Sequence, residues 1–333
     1  MSPLVSVAQV SKRFAPTLSV GERIAAALGS GPDPRTVHAV DDVSLYIGKG
    51  EVLGLVGESG CGKSTLGRII AGISPPTAGA ATIAGKDVMG GRRKATKATT
   101  RVQMVFQDPF ASLNPRLRTG DIIAEGPIAH GLVRKPEARG YVETWLAAVG
   151  LARDAADRYP HQFSGGQRQR IAIARALAMR PDVLVCDEPV ASLDVSIQAQ
   201  IINLFLKLRR EFGLTMLFIS HDLGVVRHIS DRVAIMYLGR IVETGRTGDV
   251  YESPRHPYTR ALLDSVPKLV LEDDQLVSFH AIQGELPSPR ARPSGCHFHL
   301  RCPHAAPRCR SEAPHPSAVG SDRQVACHFP LEA

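Results

Sequence analysis

Apolar positions along the chain follow two periods. Short apolar runs, "EVLGLVG" from Glu51, "DVLVCD" from Asp182 and "TMLFIS" from Thr215, read as strands buried on both faces of a parallel sheet. After the first run Leu66, Ile69, Ile70 and Ile73 recur at helical spacing, which predicts a helix directly behind that strand. From residue 164 onward the order is helix, strand, helix "VSIQAQIINLFLKLRREF", strand, helix. Such alternation predicts a doubly wound α/β core.

Other segments break the pattern. Residues 1–50 hold two β-like stretches, "PLVSVAQVSKRF" and "AVDDVSLYI", separated by a Gly/Pro-containing segment at 29–36. Residues 110–160 contain helix-forming segments punctuated by Pro and Gly, which read as a helical insertion. "RVAIMYL" and "RIVETG", joined at Gly239, predict a hairpin. Beyond about residue 254, Pro, His, Arg and Cys become frequent and mark an appendage. There is no internal repeat or low-complexity tract.

The 333 residues are 44% hydrophobic and 22% charged, ordinary for a globular chain with room for one large α/β domain and a smaller addition. No apolar run approaches the roughly 18 residues that span a bilayer. The N-terminus has no basic-then-apolar signal, so export is not expected. A formal charge of +8 admits nucleic acid, anionic lipid or phosphorylated small molecules as partners. The basic cluster Arg92, Arg93, Lys94, Lys97 and Arg101 has no interleaved aromatics, so it reads as a solvated loop and not a nucleic-acid groove.

The chemistry begins at Gly57-Glu58-Ser59-Gly60-Cys61-Gly62-Lys63-Ser64, which fits G-x-x-x-x-G-K-[ST] between a predicted strand and helix. The glycines let backbone N–H groups turn toward phosphate oxygens, and the helix N-terminus adds its dipole. Lys63 is expected to reach the β- and γ-phosphates and Ser64 to ligate Mg²⁺. In "DVLVCDEP", Asp187 and Glu188 end an apolar strand, where one acid can hold Mg²⁺ through water and the other polarise an attacking water. "FSGGQRQRIAIARALAMRP" opens with Ser164 and Gln167 spaced as a capping box, and its helix is expected to run to about Met179. The cap does not account for Gly165-Gly166, since each glycine costs a first turn about 1 kcal/mol relative to alanine. Bare backbone at a helix tip suits a closely approaching phosphate, and a second anion-binding tip suggests a site shared across a dimer. Cys61 and Cys186 lie inside these motifs and read as small filler residues.

"SGGQ", "DEP", "ASLD" and "ISHD" after the phosphate loop resemble the ATP-binding subunits of ABC transporters, over residues 57–222. The resemblance implies a P-loop NTPase fold of ABC type: a RecA-like core, an antiparallel β subdomain and a helical insertion at about 110–162, within a domain spanning 1–253. It implies that ATP lies on Gly57 through Thr65 of one subunit and is closed over by Ser164–Gln167 of another. It further implies that Gln107 in "VFQDP" is a Mg²⁺ and coupling contact, that His221 touches the γ-phosphate, and that Asp194 speaks across the dimer. Phe14 in "SKRF" fits the aromatic that stacks on adenine, with a strand-core residue as the lesser alternative. One departure is Ala191-Ser192-Leu193-Asp194, where the family more often has Ser-Ala-Leu-Asp.

"SPRHPYTRALLDSVP", "FQDPFASLNPRLRTGDIIAE" and "EPVASLDVSIQAQIINL" resemble the second ATPase of oligopeptide/dipeptide importers. That implies a sister ATPase in a heterodimer, two membrane-spanning permease subunits, an extracytoplasmic peptide-binding protein, and a place on the cytoplasmic face of a bacterial membrane. The same machine could carry nickel, glutathione or another small solute, and a non-transport ATPase acting on nucleic acid or ribosomes is the more distant alternative. The extension at 254–333 holds Cys296, Cys302, Cys309 and Cys327. Disulfides are disfavoured in a reducing compartment, and the C-x₂₋₄-C pairs of structural zinc are absent. An iron–sulfur cluster tolerates such spacing, and the resemblance implies a 4Fe–4S carrier. Zinc stays open because His297, His299, His304, His315 and His328 crowd the region, as do unliganded thiols.

Overall fold

The computed structural model describes residues 3–15, 36–90, 96–97, 99–266, 268–269, 277–278, 282–320 and 322–332. β1 (Val5–Phe14) and β2 (Val37–Ile47) pair antiparallel. β3 (Val52–Val56) runs through the phosphate loop into α1 (Lys63–Ile70). β4 (Ala78–Ile83) and β5 (Lys86–Asp87) then complete a four-stranded antiparallel sheet ordered β2-β1-β4-β5. After β6 (Val102–Val105) come the helices α2 (Thr119–Ala129), α3 (Ala138–Ala148) and α4 (Gly165–Ala178). The chain continues through β7 (Val183–Asp187), α5 (Val195–Phe212), β8 (Thr215–Ile219), α6 (Leu223–Ile229), β9 (Arg232–Tyr237) and β10 (Arg240–Arg246). Among the short elements that follow are the helices α7 (Thr247–Glu252) and α8 (Pro257–Asp264) and the strands β11 (Ser317–Ala318) and β12 (Gln324–Val325).

The large sheet has the order β11-β12-β10-β9-β3-β8-β7-β6. Its central strands β9, β3, β8, β7 and β6 are parallel. Each residue of β3, β7 and β8 is buried, as a strand covered on both faces requires. Alternate side chains feed two cores. Leu53, Leu55, Val183, Val185, Leu217 and Ile219 join α1 and the antiparallel sheet on one face. Val52, Val56, Leu184, Cys186, Met216 and Phe218 join the helices on the other. β2 instead alternates buried and exposed toward its end, the mark of a sheet with one face in solvent.

The predicted helix behind β3 forms but ends before Ile73. Gly72 adopts φ 68°, and the Ile73 N–H bonds back to the Arg68 carbonyl, closing the helix as a left-handed glycine does. Ile73 is left 48% exposed. The hairpin at Gly239 is present, with φ 83° at the turn and β9 antiparallel to β10. Arg92, Arg93 and Lys94 of the basic cluster lie outside the described residues, and Arg101 pairs with Asp182 at the surface. Among the described residues no helix is long and apolar enough to cross a membrane.

The chain beyond 254 is sewn onto this core. β12 extends the large sheet along β10, pairing Val325 with Glu243. Phe298 is buried against Tyr237 and Tyr258, its ring 5.3 Å from each centroid. Glu243, fully buried, accepts from Arg323 Nε at 3.0 Å and from the backbone N–H groups of Arg255 and His256, each at 3.0 Å.

Candidate functional site

Four neighbouring strands deliver the polar side chains. In open α/β sheets ligands gather outside the carboxyl ends of the parallel strands. Here the loop after β3 carries Lys63, the end of β7 carries Asp187 and Glu188, the segment after β8 carries His221, and that after β6 carries Gln107. β8 lies between β3 and β7, with Ile219 opposite both Leu55 and Asp187, so these ends are level.

The loop is folded by its glycines. A Cβ on Gly57 would stand 2.1 Å from the Met236 carbonyl, and one on Gly62 would stand 2.0 Å from that of Ala39. Gly62 also has φ 109°, which L-residues avoid. Gly60 has φ 77° with open space where its side chain would be, and with Ser59 it forms the exposed tip. Cys61 is buried, and burial pushes its thiol pKa up, so it serves as a small neutral filler. Lys63 is buried and donates from Nζ to the carbonyls of Gly57, at 2.7 Å, and Glu58, at 2.9 Å.

Ser64, next to Thr65 at the start of α1, donates from Oγ to Asp187 Oδ1 at 2.7 Å. Burial raises the Asp187 carboxyl above its ordinary range, with the Ser64 hydroxyl opposing. This pair of hard oxygens beside the loop fits Mg²⁺, which prefers a carboxylate and few protein ligands. Glu188 Oε2 receives Gln107 Nε2 at 3.2 Å and lies 3.2 Å from His221 Nδ1. Glu188 holds φ 46°, a costly conformation for a non-glycine residue.

At the other end of the chain's functional residues, Ser164 and Gln167 form the expected capping box. The Ser164 N–H donates to Gln167 Oε1 at 3.1 Å and the Gln167 N–H to Ser164 Oγ at 3.4 Å. A Cβ on Gly166 would meet Ile197 at 2.6 Å, so close packing on α5 is one reason for that glycine, while Gly165 is freer. These residues bond to one another and not to the phosphate loop. Asp194 is exposed at the start of α5, and Val195 beside it is 82% exposed. Phe14 is 47% exposed at the end of β1 with Lys12 Nζ 5.1 Å from its ring, so it is not strand core.

Residues 40–191 match the ABC transporter family, and residues 242–309 match the C-terminal region of oligopeptide/dipeptide transporters. The chain is 51% identical to the oligopeptide transport ATP-binding protein AppF of Bacillus subtilis, over 88% of this chain and 90% of that one. This is an ABC transporter ATP-binding protein of the oligopeptide/dipeptide family. Another relative is the di/tripeptide transport ATP-binding protein DppF of Pseudomonas aeruginosa, 50% identical over 88% of this chain and 90% of that one. A solved post-hydrolysis dimer of an ATP-binding cassette, bound to ADP and phosphate, superposes with a TM-score of 0.59 at 27% identity. It covers 73% of this chain and 98% of that one.

In this ABC ATPase the four clustered cysteines are free thiols, and the expectation of an iron–sulfur cluster or zinc is corrected. Among the described residues no group of three or more His, Cys, Asp or Glu side chains is placed to hold a metal. Cys296, Cys302, Cys309 and Cys327 do line one hollow, but it measures about 10 Å³, room for a single water at most. Burial pushes the Cys296 and Cys302 thiols up and that of Cys327 up to about 11.

Two residues beside the loop escaped the sequence reading. The Glu58 N–H donates to Tyr258 Oη at 3.0 Å, and Arg301 pairs with the Glu58 carboxylate. Tyr258 stands in the His-Pro-Tyr stretch that marked the family, but nothing in the sequence aims it at a loop 200 residues earlier.

Proposed function

We propose that this chain is the ATP-hydrolysing subunit that drives a di- and oligopeptide importer. What supports the reading most is the convergence of Gln107 and His221 on one oxygen of Glu188, beside the Ser64–Asp187 pair. In this reading Lys63 leaves the Gly57 and Glu58 carbonyls for the β- and γ-phosphates, and N–H groups of the loop Gly57–Thr65 other than that of Glu58, which Tyr258 holds, take the remaining oxygens. Mg²⁺, when bound, is held by Ser64, Asp187 and Gln107 and supplies positive charge against the phosphates. Glu188 accepts a proton from the attacking water, and His221 contacts the γ-phosphate from the next strand end. Phe14, exposed on β1, stacks on adenine. Ser164, Gly165, Gly166, Gln167 and Asp194 close over the nucleotide of the neighbouring subunit.

The domain layout goes with this reading: an ATP-binding domain at 1–253, its helical subdomain at about 110–162, and the extension at 254–333. The partners are a sister ATPase, two permease subunits and an extracytoplasmic peptide-binding protein, with this chain on the cytoplasmic face of the membrane. Peptide is the favoured cargo because the relatives are named for oligopeptide and di/tripeptide transport.

The test is reconstitution with the permease subunits and binding protein in proteoliposomes. Peptide should accumulate only with ATP, and Lys63→Ala should abolish both ATP binding and uptake. Hydrolysis by the full assembly with no peptide uptake would overturn the cargo.

A further inference from the structure

Glu58 is the second residue of the phosphate loop, and all three of its hydrogen-bonding groups are engaged. Its carbonyl accepts from Lys63 Nζ at 2.9 Å. Its N–H donates to Tyr258 Oη at 3.0 Å. Its carboxylate takes both oxygens to Arg301 Nη1, at 2.9 and 3.1 Å. Tyr258 and Arg301 lie 200 and 243 residues away, in the C-terminal extension.

Neither anchor is a loose surface contact. Tyr258 is fully buried, with its ring centroid 4.7 Å from that of Tyr237 and 5.3 Å from that of Phe298. The Arg301 side chain is 5% exposed, donates from Nε to the Gln283 carbonyl at 3.1 Å, and reaches Tyr237 Oη at 3.4 Å. A guanidinium so enclosed is costly to bury without a partner, and Glu58 is the carboxylate it has. From the side of the loop the need is reciprocal. A carboxylate one residue into a triphosphate cradle opposes the ligand unless a fixed cation offsets it.

We propose that Tyr258 and Arg301 are positioning residues for ATP. They pin Glu58 by its N–H and its carboxylate and so hold the loop in the shape that receives the phosphates, which makes nucleotide affinity depend on the extension. Arg301 in addition cancels the one negative side chain of the loop. The inference rests on reading residues 57–65 as the phosphate loop.

Equilibrium ATP binding to the full chain tests it, with thermal unfolding recorded in parallel. Arg301→Gln should weaken ATP binding about tenfold, the scale of one charge-assisted hydrogen bond. Glu58→Gln combined with Arg301→Gln removes both charges and should restore affinity to within about threefold of the parent. A purely structural arginine gives no such recovery. Tyr258→Phe, which deletes a single oxygen and keeps the buried ring, should also weaken binding. The proposal is overturned if Arg301→Gln and Tyr258→Phe both bind within about twofold of the parent, or if the double variant is as weak as Arg301→Gln. Lys63→Ala separates the two readings. If it loses ATP while the Arg301 and Tyr258 variants do not, only this proposal fails; if it too binds normally, the phosphate-loop reading fails with it.

Discussion

Glu188 stands where β7 ends, with φ 46°, and a non-glycine residue in that region costs about 1–3 kcal/mol. Its N–H still reaches the Ile219 carbonyl at 3.0 Å, so neighbouring β8 over-determines the turn and holds the carboxylate toward Gln107 and His221. Glu188→Gln keeps the shape and both neighbours but removes the base. It should leave ATP affinity within about twofold while lowering hydrolysis by 10²-fold or more, about what a general base contributes. Phosphate release and equilibrium binding, measured on the same preparation, check the split; undiminished release would remove Glu188 from its role. The loop and the acids were legible in the sequence because their spacing is dictated by local geometry. A Cβ at Gly62 would collide with the Ala39 carbonyl, so a glycine there is a physical necessity. The Glu58 anchors were illegible because each contact joins residues at least 200 positions apart.

Strands and helices were read from period and burial, and the parallel core came out as expected because its strands are buried on both faces. The extension was read from composition, which reports residue types and not packing. Its cysteines suggested a metal staple, yet the fastening comes from Phe298 among the tyrosines, β12 on β10, and Arg323 on Glu243. Arg323→Ala leaves Glu243 buried without its cation, and breaking such a pair costs about 3–5 kcal/mol. Chemical denaturation should show that loss; a change below about 1 kcal/mol would mean the pair does not fasten the extension. His256 adds a pH dependence to the same junction. Burial depresses it to about 3, and its Nδ1 accepts from the Tyr258 N–H above the Glu243–Arg323 pair. The unfolded chain takes up this proton below about pH 6.5 and the folded chain does not, so stability is full above 6.5 and falls as pH drops toward 3. The slope from this group reaches about 1.4 kcal/mol per pH unit. Unfolding midpoints of the parent and His256→Gln between pH 7.5 and 5 should therefore converge on acidification; parallel curves would contradict a neutral buried His256.

At the scale of the whole molecule the two halves of the proposed site do not meet within one chain. The phosphate loop is engaged by β3, β7 and the extension, while the Ser164–Gln167 tip is satisfied by its own capping box. Asp194 and the 82% exposed Val195 lie in the open, although exposing a valine serves no folding purpose. A second subunit that brings its phosphate loop to this tip accounts for both observations, and closure of the pair then becomes measurable at Val195. In the assembled complex carrying Glu188→Gln, Val195→Cys should react rapidly with a maleimide without nucleotide and at least about tenfold more slowly once ATP is bound, because closure removes it from solvent. The native thiols give a small constant background, since Cys61, Cys186 and Cys309 are buried and the other three are half-buried. Ser164→Arg, which places a bulky cation at the glycine-bearing tip, should abolish the protection without slowing labelling in the open state. Equal labelling with and without ATP in the Glu188→Gln complex would mean that the tip faces solvent throughout the cycle, and the shared site would have to be abandoned.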